Sequence, residues 1–185
     1  MSRRPLSRTF PRLIDEQAER HGARPAIVGS GRHLTYAQFR DESLRVARRL
    51  FKLGVRAGDK VAILMGNRPE WLTAAMGISR LGATTVTLNT WATAPELEYM
   101  IGHSDAVWLI ASPTFRKADF GNLLRELEPF AQRLPKLRGV LGVAVGDAGL
   151  PAGWLPLFDG DDDCDAAFDA VIDDLTTDVR PDDIA

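Results

Sequence analysis

With 185 residues, 45% of them hydrophobic, the chain is long enough for one domain with a real core and too apolar for a disordered tail. Its 23 basic and 25 acidic residues leave a formal net charge of -2, which argues against wholesale nucleic-acid binding. The single cysteine, Cys164, excludes an internal disulfide framework and a multi-cysteine zinc site.

Charge is distributed unevenly. Arginines crowd the first third, from Arg3 to Arg49, and aspartates crowd the stretch from Asp159 to Asp174. Both read as solvated faces. The N-terminus lacks the apolar core of a secretory signal, and no apolar run approaches the ~18 residues a membrane helix needs. A cytoplasmic protein without a membrane span is therefore expected.

In chain order, Phe10 to His21 reads as an amphipathic helix with Phe10, Leu13, Ile14 and Ala18 on one stripe, ended by Gly22. Ala26-Ile27-Val28 and His33-Leu34 read as a hairpin turning at Gly29-Ser30-Gly31. Thr35, followed three residues later by Gln38, forms a capping box that opens a helix. That helix buries Phe39, Val46, Ala47, Leu50 and Phe51 and leaves Arg40, Arg45, Arg48, Arg49 and Lys52 on its wet side. Gly54 suits the left-handed position beyond its end. The apolar run Lys60 to Met65 predicts a buried parallel strand.

Pro69 and Glu70 start a helix that is apolar nearly all round from Trp71 to Leu81 and stops at Gly82. Thr84 to Leu88 is the next strand. Thr93 and Glu96 form a second capping box for a helix through Leu97, Met100 and Ile101. Val107 to Ile110 predicts a strand, and roughly Lys117 to Leu134 a helix with Leu123, Leu124, Leu127 and Phe130 inward. Val140 to Val145 is the last strand expected. An acidic, Gly- and Pro-rich internal loop then covers residues 146–165, before a short acidic helix from Ala166 to Leu175. Alternation of strand and helix defines an α/β fold with a largely parallel sheet flanked by helices.

Few residues carry recognisable chemistry. Gly54 to Lys60 has the glycines of a phosphate loop but the wrong spacing, with Asp59 where a phosphate would be repelled, so it reads as a turn. His21, His33 and His103 lack metal-ligand spacing. His103-Ser104-Asp105 holds the residue types of a hydrolytic triad, but neighbours in sequence cannot pass a proton in that order, and a helix end is expected there. The acid pairs Asp162-Asp163 and Asp173-Asp174 have the donors for a metal, yet as runs on a polar stretch they read as solvated, and no metal site is assigned.

Four stretches, in order, resemble the adenylate-forming (AMP-dependent) synthetase family, and acyl-CoA ligases in particular. They are Leu34-Thr35-Tyr36-Ala37-Gln38-Phe39, Leu53 through Ile63 with Asn67 and Glu70 following, Leu81 through Thr90 leading into Glu96-Leu97, and Pro181-Asp182-Asp183-Ile184-Ala185. Thr87 departs from the family, which commonly has Pro before Leu-Asn; in a strand Thr is well suited.

The resemblance implies that the chain is the N-terminal part of the family's large domain, spanning residues 1–185 and stopping before the Thr/Ser/Gly-rich phosphate loop. It implies an enzyme that, when complete, uses Mg-ATP to convert a carboxylic acid to an acyl-adenylate and passes the acyl group to CoA. The acid is expected to be fatty, aryl or alicyclic. The catalytic lysine and most phosphate-binding groups of the family lie beyond these residues, so no catalytic residue is assigned and neither ATP, Mg nor CoA is expected to bind the fragment tightly. Self-association through surface meant for the remainder is expected. The same resemblance assigns Arg116 and Lys117 to the CoA phosphates, Arg as a fork of donors and Lys as a point charge, against a mild dipole penalty for cations at a helix start. Two other readings are a short non-catalytic binding or oligomerisation module and an unrelated nucleotide-binding α/β domain such as an oxidoreductase. The second lacks the glycine fingerprint that a dinucleotide requires.

Overall fold

The computed structural model describes residues 6–29, 32–146, 149–158 and 166–183. The turn expected at Ser30-Gly31, Cys164, the aspartates at 159–165 and Ile184-Ala185 lie outside them. In chain order the elements are α1 (Phe10–His21), β1 (Pro25–Gly29), β2 (Arg32–Thr35), α2 (Tyr36–Lys52), β3 (Lys60–Leu64), α3 (Pro69–Arg80), β4 (Thr84–Thr87) and α4 (Ala94–Ser104). There follow β5 (Trp108–Ala111), β6 (Thr114–Phe115), β7 (Ala118–Asp119), α5 (Phe120–Arg125), α6 (Phe130–Arg133), β8 (Val140–Gly142), β9 (Leu155–Pro156) and α7 (Ala166–Asp178). They fall into two compact units, one of Met1–Gly58, Arg68–Ala83 and Gly160–Ala185, the other of Asp59–Asn67 and Thr84–Asp159.

The first unit holds the helices α1, α2, α3 and α7 and the antiparallel hairpin β1–β2. The capping box of α2 is present in both directions: Gln38 N–H donates to Thr35 Oγ1 at 3.2 Å, and Thr35 N–H to Gln38 Oε1 at 2.9 Å. Phe39, Val46, Ala47 and Leu50 are buried as the helical period requires, each such side chain contributing about 1.5–3 kcal/mol if fully removed from water. Helix α2 packs on α3, with α1 and α7 also against it. The α2–α3 crossing is close at Gly77, where an added Cβ would stand 2.5 Å from Val46 Cγ1. Gly54 sits at φ +83° just past the helix, as expected for a residue without Cβ.

Two sequence expectations fail in this unit. Phe10 is 56% exposed, and α1 instead buries Pro11 and Ala18. Arg48, expected in water, is buried and paired with Asp169 of α7 at 2.5 Å, so tertiary pairing overrides its wet-side reading. Arg80 is completely buried at the end of α3. Its guanidinium donates to both Asp15 carboxylate oxygens, at 3.0 and 2.5 Å, and to Ser43 Oγ at 2.9 Å. Its carbonyl accepts from Thr176 Oγ1 at 3.3 Å, so one residue ties α1, α2, α3 and α7 together.

The second unit is a five-stranded sheet of order β4-β3-β5-β8-β9 in which every neighbouring pair is parallel. Lys60 to Leu64 and Trp108 to Ala111 form its centre, and Val61, Ile63, Ile110 and Leu141 are buried together with Ala62, Leu64, Leu109 and Ala111. Burial on both sides explains their unbroken apolar runs. Leu97 and Ile101 of α4, Phe120 and Leu124 of α5, and Leu127, Leu134 and Trp154 build one core with the second of these sets.

The helix expected over Lys117 to Leu134 does not form as one piece. Residues 114–119 fold instead as the antiparallel hairpin β6–β7, and Asp119 accepts from Asn122 N–H at 2.9 Å to start α5. Pro129, which has no N–H to offer a continuing helix, then separates α5 from α6. Nor is Val140 the start of the last strand. β8 ends at Gly142, and Leu155–Pro156, inside the stretch read as an internal loop, adds a parallel edge strand to it.

Candidate functional site

The strand order places a reversal beside β3. The chain moves from β3 outward to β4, crosses back to β5 on the other side of β3, and continues outward through β8 to β9. In open α/β sheets such a switch point, at the carboxyl ends of the strands, is where a crevice opens for ligands. Here it lies between Met65-Gly66 after β3 and Ser112-Pro113 after β5, with Ser112 N–H donating to Leu64 O at 3.2 Å.

The hairpin β6–β7 stands at that point. Thr114 pairs with Asp119 and Phe115 with Ala118, leaving Arg116 and Lys117 as the two-residue tip. Both are exposed. Arg116 has φ +56°, a conformation uncommon for a residue with a side chain. The hairpin is anchored on both legs: Ser112 Oγ donates to Thr114 O at 3.1 Å, and Gly121 N–H donates to Pro113 O at 3.0 Å. Phe115 lies on Gly66 so closely that a Cβ there would stand 2.0 Å from the ring. The same ring lies 5.3 Å from the Arg116 guanidinium carbon, within cation–π range.

The two residues expected from sequence, Arg116 and Lys117, are thus side by side on a hairpin tip. The penalty expected for cations at a helix start does not apply to them, because α5 begins only at Phe120, after its Asp119 cap. Sequence reasoning missed the hairpin, Phe115 and Gly66. Ala118-Asp119 resembles a helix N-terminus in any local window, and nothing local marks the contact of Phe115 with a residue some fifty positions earlier.

Other polar groups have structural roles. His103 stacks on Tyr99 with 5.3 Å between ring centres, Ser104 Oγ donates to Ile101 O at 3.0 Å, and Asp105 caps α4 at φ +60°. Lys136, 2.9 Å away, donates to the Asp105 carboxylate and holds its pKa below the usual range. The expected helix end is what forms there. Gly54 to Lys60 is a turn, with Gly58 at φ +83° and its N–H on Gly82 O at 2.9 Å. In the first unit, Arg32 bridges Glu42 and Glu70, and Arg68 donates to Glu70 at 2.7 Å. Burial pushes Glu42 up against the pull of Arg32. Burial also pulls Glu70 upward, but hydrogen bonds from Arg68, its own backbone and Arg32 outweigh it and leave Glu70 lowered. Among the described residues no three His, Cys, Asp or Glu side chains gather as a metal site, Asp173 and Asp174 are exposed, and no helix is long and apolar enough to cross a membrane.

A parallel sheet of flavodoxin-like strand order, with a basic hairpin at its switch point, defines a class of α/β domain in which a ligand is met at the carboxyl edge. The chain belongs to the AMP-binding enzyme family, whose model matches residues 14–185. It is 36% identical over 116 residues to 2-succinylbenzoate–CoA ligase of Oceanobacillus iheyensis, covering 62% of this chain and 24% of that protein. It is 32% identical over 126 residues to the acyl-CoA ligase sidI of Aspergillus fumigatus, covering 67% of this chain and 21% of that protein. The anthranilate CoA ligase AuaEII, solved in complex with anthranoyl-AMP, superposes with a TM-score of 0.69 at 27% identity, over 83% of this chain and 28% of that one. The chain therefore spans less than a quarter of the length of either of these two curated ligases.

Proposed function

We propose that this chain forms the N-terminal part of an AMP-forming acid–CoA ligase. In that enzyme a carboxylate attacks the α-phosphate of Mg-ATP to give an acyl-adenylate and pyrophosphate, and the CoA thiolate then displaces AMP. The observation that carries the proposal is membership of the AMP-binding enzyme family across residues 14–185. The four motifs in family order support it, as do relatives named as acyl-CoA and 2-succinylbenzoate–CoA ligases. The substrate is a fatty, aryl or alicyclic acid. These residues supply scaffold, and neither phosphate loop nor catalytic lysine, so no step of the adenylation is routed through them.

Arg116 and Lys117 contact phosphates of the CoA nucleotide in the second half-reaction. Their support is geometric: two adjacent cations, exposed on an anchored hairpin at the carboxyl edge of the sheet, suit a phosphate through a fork of donors and a point charge.

The test reads the gene beyond codon 185 and assays the whole product for acid-dependent pyrophosphate release over a panel of acids. A continuation into a Thr-, Ser- and Gly-rich loop with a Lys, together with pyrophosphate and AMP release, is expected; such a loop needs small residues and successive N–H groups to cradle phosphate. A continuation without that loop, or a stop codon in its place, would overturn the ligase reading. In the complete enzyme, replacing Arg116 and Lys117 with Ala should raise KM for CoA and spare ATP–pyrophosphate exchange. Equal damage to both half-reactions would remove the CoA assignment.

A further inference from the structure

We propose that Phe115 is a positioning residue for the phosphate-binding pair: seated on Gly66, its ring fixes the hairpin that presents Arg116 and Lys117. The inference rests on the CoA-phosphate reading of those two cations and adds the device that aims them.

Three observations carry it. First, Phe115 and Gly66 fit only as a ring on a bare backbone. Three ring atoms lie 2.0, 2.3 and 2.7 Å from where a Cβ on Gly66 would stand, and Gly66 has no positive φ that would demand glycine for conformation. Space alone requires the glycine. Second, the ring lies on Gly66, just past the carboxyl end of β3 and beside its neighbour β5, the edge where a ligand enters an open sheet of this order. With the ring on the Gly66 backbone, the exposed cations at this edge are those of the hairpin tip. Third, the ring also lies 5.3 Å from the Arg116 guanidinium carbon, and Arg116 is held at φ +56°, so the backbone and the side chain of Arg116 are both constrained beside it. A two-residue tip on a two-residue ladder has little order of its own. Ser112, Gly121 and the Phe115 wedge supply it, and cations ordered before the ligand arrives bind it at lower entropic cost.

The test uses the complete enzyme that continues this chain, isotope-labelled, titrated with CoA and followed through the backbone amides of residues 114–119. Wild type is expected to show saturable shifts at the hairpin, and Arg116→Ala/Lys117→Ala to lose them. Phe115→Ala should weaken CoA by roughly threefold to tenfold, the scale of lost pre-organisation. It should also raise fast motion at residues 116–117 while amides of the sheet stay in place. Phe115→Tyr, which keeps the ring, should restore wild-type affinity. Gly66→Ala, which displaces the ring without changing any residue of the hairpin, should weaken CoA as Phe115→Ala does; it serves in its place should that variant not fold. If the ring-displaced variants bind CoA as wild type does while the double-cation variant does not, the wedge is overturned and the CoA reading stands. If CoA moves no hairpin amide, or the double-cation variant binds unchanged, the CoA reading falls and this inference falls with it.

Discussion

The buried Arg80–Asp15 pair is asymmetric, and removing its two members should have unequal consequences. Arg80 has no exposed surface, whereas the Asp15 side chain is one-third exposed, at 33%. Asp15→Ala strands a guanidinium with no exposed surface and, among the described residues, only Ser43 Oγ left as an acceptor. Loss of one partner of a buried pair costs about 3–5 kcal/mol when the charge left behind stays buried. Arg80→Met leaves the opposite situation: the thioether chain fills much of the volume, and the Asp15 carboxylate turns to water. Ser43 Oγ keeps its own bond to Arg40 O at 2.7 Å, so no donor is orphaned. The Arg80→Met cost should be about 1–2 kcal/mol, and the double variant should be more stable than Asp15→Ala alone, because an apolar replacement of both partners is often near neutral. Equilibrium urea unfolding followed by far-UV circular dichroism measures all four proteins on one scale. Equal costs for the two single variants, or a double variant as unstable as their sum, would refute burial of the Arg80 charge as the source of the asymmetry.

Phe39→Ala, which empties a buried site on α2, should cost about 3–5 kcal/mol, and a urea midpoint shift worth less than a third of that would show that the stripe is not core. Gly77→Ala should cost about 1–3 kcal/mol by forcing α3 from Val46, and Val46→Ala in the same chain should recover part of the loss. The Glu16 carboxylate accepts from Ser7 Oγ and from the N–H groups of Leu6 and Ser7, with Arg20 nearby, which lowers its pKa from 4.5 to about 2. A depressed carboxylate pKa stabilises the folded contact of Leu6 and Ser7 with Glu16 above the unfolded pKa of 4.5 and loses that contribution as pH falls toward about 2. Amide shifts of Leu6 and Ser7 should therefore titrate with a midpoint at about 2 and become pH-independent in Glu16→Gln; a midpoint at the ordinary carboxylate value of 4.5 would exclude this anchoring of Leu6 and Ser7 on Glu16.

Much of this architecture is written locally. Thr35 and Gln38 satisfy each other's neighbouring backbone groups within one turn, so the α2 capping box is readable from three-residue spacing. Lys60 to Leu64 and Trp108 to Ala111 are apolar without alternation, which only a strand covered on both sides explains, and the turn glycines Gly54, Gly58 and Gly82 adopt positive φ where the chain must reverse. The order of the four motifs was enough for the family. What tertiary structure decided are the features whose cause lies far along the chain. Arg48 reads as a wet-side charge from helical period alone, and it is buried because Asp169, 121 residues away, neutralises it; Arg80, which carries no local signal of its role, is buried against Asp15, 65 residues away. Arg116 and Lys117 read as a helix start, and they became a hairpin tip because Phe115 finds room on Gly66 and Asp119 caps the helix later than local pattern suggests. β9 is a strand only because the edge of β8 is there to pair with it. Periodicity and caps act over a few residues and are visible in sequence; charge burial, side-chain wedges and edge pairing depend on what the folded chain brings alongside.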